Sequence, residues 1–231
     1  MTKGKFFVID GVDGSGKGTQ TRLIVQKLKD EGFNILESDF PQYGNKSAAL
    51  VEEYLNGNFG TFEEIDAYQA SIFYACDRFA ASKKMKEHLD SGGIIISNRY
   101  VTSNQIHQSS KIQNQEELNK FLDWLDNLEY NIFKIPRPQK VIFLNMPYKI
   151  GQKLVEKKQK EEREYIKSGK SLDIHEESLD HLKQAYDRAC SLVKKYDEWT
   201  EVKCTTQNNK IKTIKEINNE IYNLIKQELN N

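Results

Sequence analysis

Residues 5–19 read Lys-Phe-Phe-Val-Ile-Asp-Gly-Val-Asp-Gly-Ser-Gly-Lys-Gly-Thr, and this stretch decides the fold. From Lys5 to Asp10 it is a brief apolar run, aromatic and β-branched, which predicts a short buried strand. From Lys17 to about Glu31 the pattern turns helical, with Leu23, Ile24 and Leu28 on one face and Gly32 as the stop. The turn between them has the spacing G-x-x-x-x-G-K of a phosphate-binding loop, in the strand–turn–helix context that motif needs. Its glycines let backbone amides turn inward around phosphate oxygens, and the helix N-terminus adds partial positive charge. Lys17 supplies a cation for the outer phosphates. Gly11, Val12, Asp13, Gly14, Ser15, Gly16, Lys17, Gly18 and Thr19 are therefore predicted to bind ATP. The position after the lysine ordinarily carries a Ser or Thr hydroxyl for Mg²⁺. Here it is Gly18, with Thr19 next, so Mg²⁺ is expected to be held mainly by ATP oxygens and water, Thr19 reaching it through water.

Outward from this stretch, helical and strand patterns alternate. A second strand begins at Ile35-Leu36 and ends in the turn-rich Phe40-Pro41-Gln42-Tyr43-Gly44. Helices are predicted over 48–55 and 62–89, the latter closed by Ser91-Gly92-Gly93. Ile94-Ile95-Ile96 is apolar on both faces, as in a parallel sheet. An amphipathic helix over 116–132, a buried strand over 141–144 and a densely charged helix over 150–166 follow. Helices over 177–199 and 215–229 flank a short strand near 201–204. This order predicts an α/β fold, a five-stranded parallel sheet with helices on both faces. Function should then gather beyond the carboxyl ends of the strands, after Asp10, Ser38, Ile96 and Leu144.

The 231 residues include 34 basic and 34 acidic side chains, a formal net charge of zero. That balance offers no footprint for nucleic acid or a membrane surface. Mean hydropathy is −0.71, yet 38% of residues are hydrophobic, a composition of long solvated helices around a core rather than of disorder. No apolar run approaches the roughly 18 residues of a membrane span, and the first ten residues carry no signal segment. Cys76, Cys190 and Cys204 are odd in number and far apart, which predicts a reducing, cytoplasmic setting without disulfides or a zinc site. His88, His107, His175 and His181 have no ligand spacing. A single domain over 1–231 is expected.

Arginine and aromatic residues concentrate near the other strand ends. Phe73-Tyr74-Ala75-Cys76-Asp77-Arg78 lies mid-helix. Asn98-Arg99-Tyr100 ends the third strand and runs on through Val101-Thr102-Ser103-Asn104-Gln105-Ile106-His107-Gln108. A guanidinium at a strand end suits bidentate phosphate recognition, and an aromatic beside a second Arg and an Asn suits a base. Taken together, GVDGSGKGTQ, FPQYG, FYACDRF, NRYVTSNQIHQ and DIHE resemble the thymidylate kinases, within the nucleoside-monophosphate kinases. They fall in order over roughly residues 5–200.

The resemblance implies that Asp13 holds the deoxyribose 3′-hydroxyl and that Tyr43 and Arg99 clamp the acceptor monophosphate. It implies that Phe40 and Pro41 shape the pocket, often with a cis peptide, and that Tyr74 stacks on thymine. Arg78 would read a thymine carbonyl and Asn104 the base edge, with Ser103 and Gln108 in the same site. His107 stands where many relatives place a tyrosine that crowds out a ribose 2′-hydroxyl, which leaves discrimination against ribonucleotides open. Asn98 stands where the family usually has an Asp near Mg²⁺. Packing remains an alternative role for Phe73, Tyr74 and Tyr100, and a buried ion pair for Arg78.

In the family, the charged segment at about 152–172 is a lid over ATP. With Gly14 where some relatives carry an Arg, the lid would supply the cation, Arg163 first and Lys153 second. Asp173-Ile174-His175-Glu176 resembles the family's Asp-x-x-Glu segment at the acceptor site, and it reads equally as a helix N-cap with first-turn carboxylates. The implied activity is in-line phosphoryl transfer from Mg·ATP to dTMP in a homodimer. Other monophosphate kinases (UMP, CMP or AMP) and a non-catalytic ATP-sensing module remain as alternatives.

Overall fold

The structure, a computed structural model, describes residues 4–165 and 179–230, without the side chains of 158–165. Five parallel strands, β1 (Lys5–Asp10), β2 (Ile35–Asp39), β3 (Ile94–Asn98), β4 (Lys140–Asn145) and β5 (Trp199–Lys203), form one sheet in the order β2-β3-β1-β4-β5. The central strand owes its place to its side chains. Successive residues of a strand point to opposite faces, so a strand covered on both needs apolar residues at successive positions, as β1 has from Phe6 to Ile9. Phe7, Val8 and Ile9 are completely buried. Phe6 and Val8 join Ile95, Val141 and Phe143 in one layer with Phe121, Leu122 and Leu192. Phe7 and Ile9 join Ile96, Ile142 and Leu144 in the other, with Ile24, Leu28, Ile217, Ile221 and Ile225.

The helices are α1 (Lys17–Asp30), α2 (Ala49–Leu55), α3 (Ala67–Asp90), α4 (Val101–Ser103), α5 (Gln115–Asp126), α6 (Tyr148–Tyr165), α7 (Leu179–Lys195) and α8 (Ile214–Asn230). Several boundaries differ from the sequence reading. α3 begins at Ala67 rather than near Phe62, because Asp66 and Gln69 close a reciprocal capping box there. After α5 the chain loosens into a π turn, Asn127–Ile132. α7 stops at Lys195, short of Trp199, whose side chain is buried in β5 opposite Val141. Residues 101–111, which the periodicity does not mark as helical, form α4 continued by a π turn (Asn104–Gln108) and a 3₁₀ turn (Ser109–Lys111). Among the described residues no helix is long and apolar enough to cross a membrane.

Candidate active site

β1 lies between β3 and β4, where the strand order reverses, and its carboxyl end opens the glycine loop. Buried Asp10 accepts the Gly11 amide at 2.8 Å, the Ser103 hydroxyl at 2.8 Å and the Thr102 hydroxyl. One carboxylate thus ties the mouth of the loop to the start of α4. Gly14 and Gly16 adopt left-handed backbone (φ 77° and 84°), and Gly16 leads directly into α1. The buried Ser15 hydroxyl has no protein partner among the described residues.

Lys17 is 8% exposed, and its Nζ donates to Asp13 Oδ1 at 3.1 Å and to the Val12 carbonyl at 3.4 Å. Arg99 Nη2 donates to the same Asp13 oxygen at 2.5 Å. Two cations from different strand ends therefore converge on one carboxylate oxygen. Burial alone would raise the Asp13 pKa, but Lys17 and Arg99 together hold it well below the usual carboxylate range. Burial, then Arg99, lowers the Lys17 pKa, against Asp13 and Asp10. For Arg99, burial is outweighed by Asp13 and Asp10, and its pKa rises.

Arg99 itself sits at φ 62°, a left-handed conformation unusual for a side chain other than glycine. Its N–H donates to the Ile9 carbonyl at 3.0 Å and its carbonyl accepts the Ser97 hydroxyl at 2.7 Å, which hold it there. Such strain costs on the order of 1–3 kcal/mol and persists where surroundings enforce it. The bend follows β3 directly and sends the side chain to the glycine loop. Arg99 Nη1 also donates to His107 Nε2 at 3.1 Å and to the Ser103 hydroxyl at 3.5 Å. Since arginine can only donate, Nε2 accepts and His107 is neutral. Burial and then Arg99 push its pKa well below the ordinary value.

A cavity of about 290 Å³ opens beside this cluster. It collects Asp13, Phe40, Pro41, Tyr43, Tyr74, Arg78, Arg99, Ser103, Asn104, His107 and Gln108, together with Asp39, Leu55, Asn98 and Tyr100. The Phe40–Pro41 peptide is cis. Tyr43 is 59% exposed, at the cavity rim. Tyr74 lies edge-on to Tyr54, and Phe73 packs against Tyr54 and Phe59 outside the cavity. Tyr100 is fully buried, with its hydroxyl donating to the Pro136 carbonyl. Asn104 Nδ2 donates to the Ser71 carbonyl at 3.2 Å, and Gln108 Oε1 is buried without a protein partner among the described residues. A second groove of about 370 Å³, between β2 and α3, shares Asp39, Pro41 and Tyr43 but contains neither Lys17 nor Arg99.

Arg78 lines the cavity but is not a free guanidinium. Its Nε donates to Glu129 Oε1 at 3.0 Å, Nη2 bonds the same oxygen, and Nη1 donates to the Tyr100 carbonyl at 3.3 Å. Sequence reasoning missed two residues here. Glu129 lies 51 positions from Arg78 and carries no local signal. Asp77 takes the Gln42 backbone N–H at 2.8 Å, the Gln42 side-chain amide at 3.0 Å and the Ser47 hydroxyl at 2.6 Å, so it fastens the loop that carries Pro41 and Tyr43. Its position inside FYACDRF was the only available signal.

Asn98 Nδ2 donates to Asp39 Oδ1 at 2.8 Å, while Asn98 Oδ1 is buried without a protein partner among the described residues. Burial raises the Asp39 pKa against that hydrogen bond. Among the described residues no three His, Cys, Asp or Glu side chains converge as a metal cage. The Arg163 side chain and all of Asp173 and His175 lie outside what is described. Lys153 is exposed on α6.

This sheet, its glycine loop and the neighbouring arginine define a P-loop phosphotransferase of the nucleoside-monophosphate kinase class. The thymidylate kinase family model matches residues 9–217. A probable thymidylate kinase of Thermococcus onnurineus is 27% identical over 97% of this chain and 98% of its own length. The thymidylate kinase of Plasmodium falciparum is 27% identical over 65% of each chain. A solved thymidylate kinase from Candida albicans shares the fold, with a TM-score of 0.69 at 20% identity over 99% of this chain and 93% of that one. The chain belongs to the thymidylate kinase family.

Proposed function

We propose that this site passes the γ-phosphoryl group of Mg·ATP directly to the 5′-phosphate of dTMP, giving dTDP and ADP, with Lys17 and Arg99 gripping donor and acceptor. Membership of the family makes the protein an ATP-dependent dTMP phosphotransferase. The observation that carries the residue-level reading is the meeting of Lys17 and Arg99 on one Asp13 oxygen. A cation in the ATP cradle and a cation in the acceptor cavity are neighbours, as in-line transfer requires. The attacking phosphate oxygen is already anionic, so no general base is needed. Catalysis is positioning plus neutralisation of the moving charge.

Recognition of the base follows from donor and acceptor types. Arg78 offers N–H groups, and Gln108 Oε1 is an acceptor with no protein partner among the described residues. A carbonyl next to a ring N–H, as in thymine, would complement that pair with Arg78 facing the carbonyl and Gln108 facing the ring N–H, and cytosine would present its donor and acceptor there in the reverse order. Asp13 would take the sugar hydroxyl, Tyr43 the phosphate at the rim, and Phe40, Pro41, Tyr74, Ser103, Asn104 and His107 the remaining contacts.

The residues fit a Mg²⁺ brought in by ATP. Asn98 Oδ1 is an orphaned buried oxygen, Asp39 is a carboxylate at its side, and Thr19 adds a hydroxyl, the hard oxygen donors this ion prefers. Bound there, the ion would neutralise phosphate charge. Arg163, with Lys153 second, would supply the lid cation, and Asp173 and His175 would close the acceptor side. A homodimer would use α3, where Ile72 and Phe79 are exposed and Phe79 packs on Phe133 beside exposed Ile132. The three free cysteines fit a cytoplasmic protein.

The test is ADP production from Mg·ATP with a panel of monophosphates. Turnover with dTMP and none without an acceptor is expected, and a preference for AMP or CMP would overturn the assignment of the acceptor. Replacing Arg99 by Ala should lower kcat/KM by about 10³-fold, as expected for loss of a charge-stabilising donor. A near-normal rate would remove Arg99 from the mechanism.

A further inference from the structure

The two arginines of the cavity are held in different ways. Arg99 rests on Asp13, whose side chain is 26% exposed and stands between two cations, so an incoming phosphate can take its place. Arg78 rests on Glu129, and their side chains are 2% and 0% exposed. Among the described residues that partner is wholly buried, unlike Asp13. Both Arg78 donors to Glu129 go to Oε1, and Oε2 is buried with no protein partner among the described residues. An unpartnered buried carboxylate oxygen is costly, and pure stability would favour an apolar pair of the same volume. Glu129 also sits in the π turn after α5, a widened helical geometry that is often found beside functional sites.

From this geometry we infer that Glu129 is a positioning residue for acceptor-base recognition. It fixes the Arg78 guanidinium edge-on through Nε and Nη2, with the Tyr100 carbonyl steadying Nη1. Three of the five N–H groups are consumed, and one hydrogen on each terminal nitrogen remains. It also neutralises Arg78, so that this part of the cavity presents directed donors and not a second phosphate anchor. The inference rests on the reading that the cavity takes the acceptor nucleotide.

Glu129→Gln and Glu129→Asp test it. The first removes the charge, and the second keeps the charge but shortens its reach by one methylene. Expected for both is a rise of about tenfold in KM and Kd for dTMP, with kcat and the ATP KM within about twofold. Binding of deoxyribose 5-phosphate, which has no base, should be unchanged by calorimetry, whereas a general loosening of the fold would weaken both ligands. If Glu129→Gln does not fold, the same measurements on Glu129→Asp decide. Unchanged dTMP affinity in a folded variant overturns the inference and leaves Glu129 as packing. Failure of the unaltered protein to bind dTMP would instead refute the reading of the cavity.

Discussion

Replacing Gly14 by Ala should damage turnover far more than stability. At φ 77° an L-residue pays about 1–2 kcal/mol for left-handed backbone. The new Cβ would also stand 2.0 Å from the Gly151 carbonyl oxygen and 2.4 Å from its carbonyl carbon, both backbone atoms in the first turn of α6. No flexible side chain can yield, so the glycine loop and the helix must part by on the order of 1 Å, a displacement that can cost about 10²-fold in rate. The expected outcome is a kcat/KM lower by about 10²-fold in the ADP-release assay. The backbone penalty alone lowers Tm by about 2–8 °C at this chain length. Gly151→Ala separates the two effects. Its Cβ would meet the Asp13 carbonyl at 2.6 Å, but alanine gains about 1 kcal/mol of helix propensity there. Rate should fall with Tm nearly unchanged. If both variants turn over within twofold of the parent, the glycine-to-glycine contact does not set the geometry of the phosphate cradle. The same contact explains why a side chain at position 14 is shut out, so that a cation for the outer phosphates has to come from elsewhere.

Asp77→Asn should raise the dTMP KM about tenfold and leave the ATP KM unchanged, because a buried acceptor of three donors becomes partly a donor itself. An unchanged dTMP KM would show that the 40–45 loop holds without it. His181, 6% exposed, has its pKa lowered to about 4, chiefly by burial. Between that value and the unfolded value of about 6.5, the unfolded chain binds a proton that the folded chain does not, so stability falls as pH drops through this window. The loss from His181 amounts to at most about 3 kcal/mol. His181→Gln should flatten the decline of Tm between pH 6.5 and 4, and an identical decline in the variant would assign it to other groups. The Asp13 pKa is lowered, so its contribution persists above the unfolded carboxylate value and is lost only below it, outside most of that window.

Elements that declare themselves locally were legible. β1 is apolar from Phe6 to Ile9, and the glycine loop has fixed spacing, so both appear in the letters with their bounds. What the sequence hid depends on distant partners. Val101-Thr102-Ser103-Asn104 has poor helix propensity, yet it turns helical because buried Asp10, some 92 residues away, accepts the Thr102 hydroxyl. The Arg78–Glu129 pair spans 51 residues, and the π turn that delivers Glu129 has no periodic signature. The start of α3 was available, since Asp66-x-x-Gln69 is a capping-box pattern, but the helical periodicity upstream of it masked the boundary.

Gly18 and Asn98, the two positions that leave the metal question open in the sequence, belong to one place. A Cβ at Gly18 would lie 3.8 Å from Asn98 Nδ2, so the two positions face each other. Asn98 does not leave that place uncharged, because its amide holds Asp39 from the neighbouring strand end. A carboxylate at both positions would put like charges at hydrogen-bond distance and force one to take up a proton. Asn98 avoids this by donating to Asp39 through nitrogen and keeping its oxygen free. Asp39 in turn precedes Phe40, whose N–H donates to the Asn98 carbonyl at 3.1 Å. The strand end that carries the charge is thereby the one that launches the 40–45 loop, and on the proposed reading the polar edge of the glycine loop's phosphate site is built into the wall of the acceptor cavity.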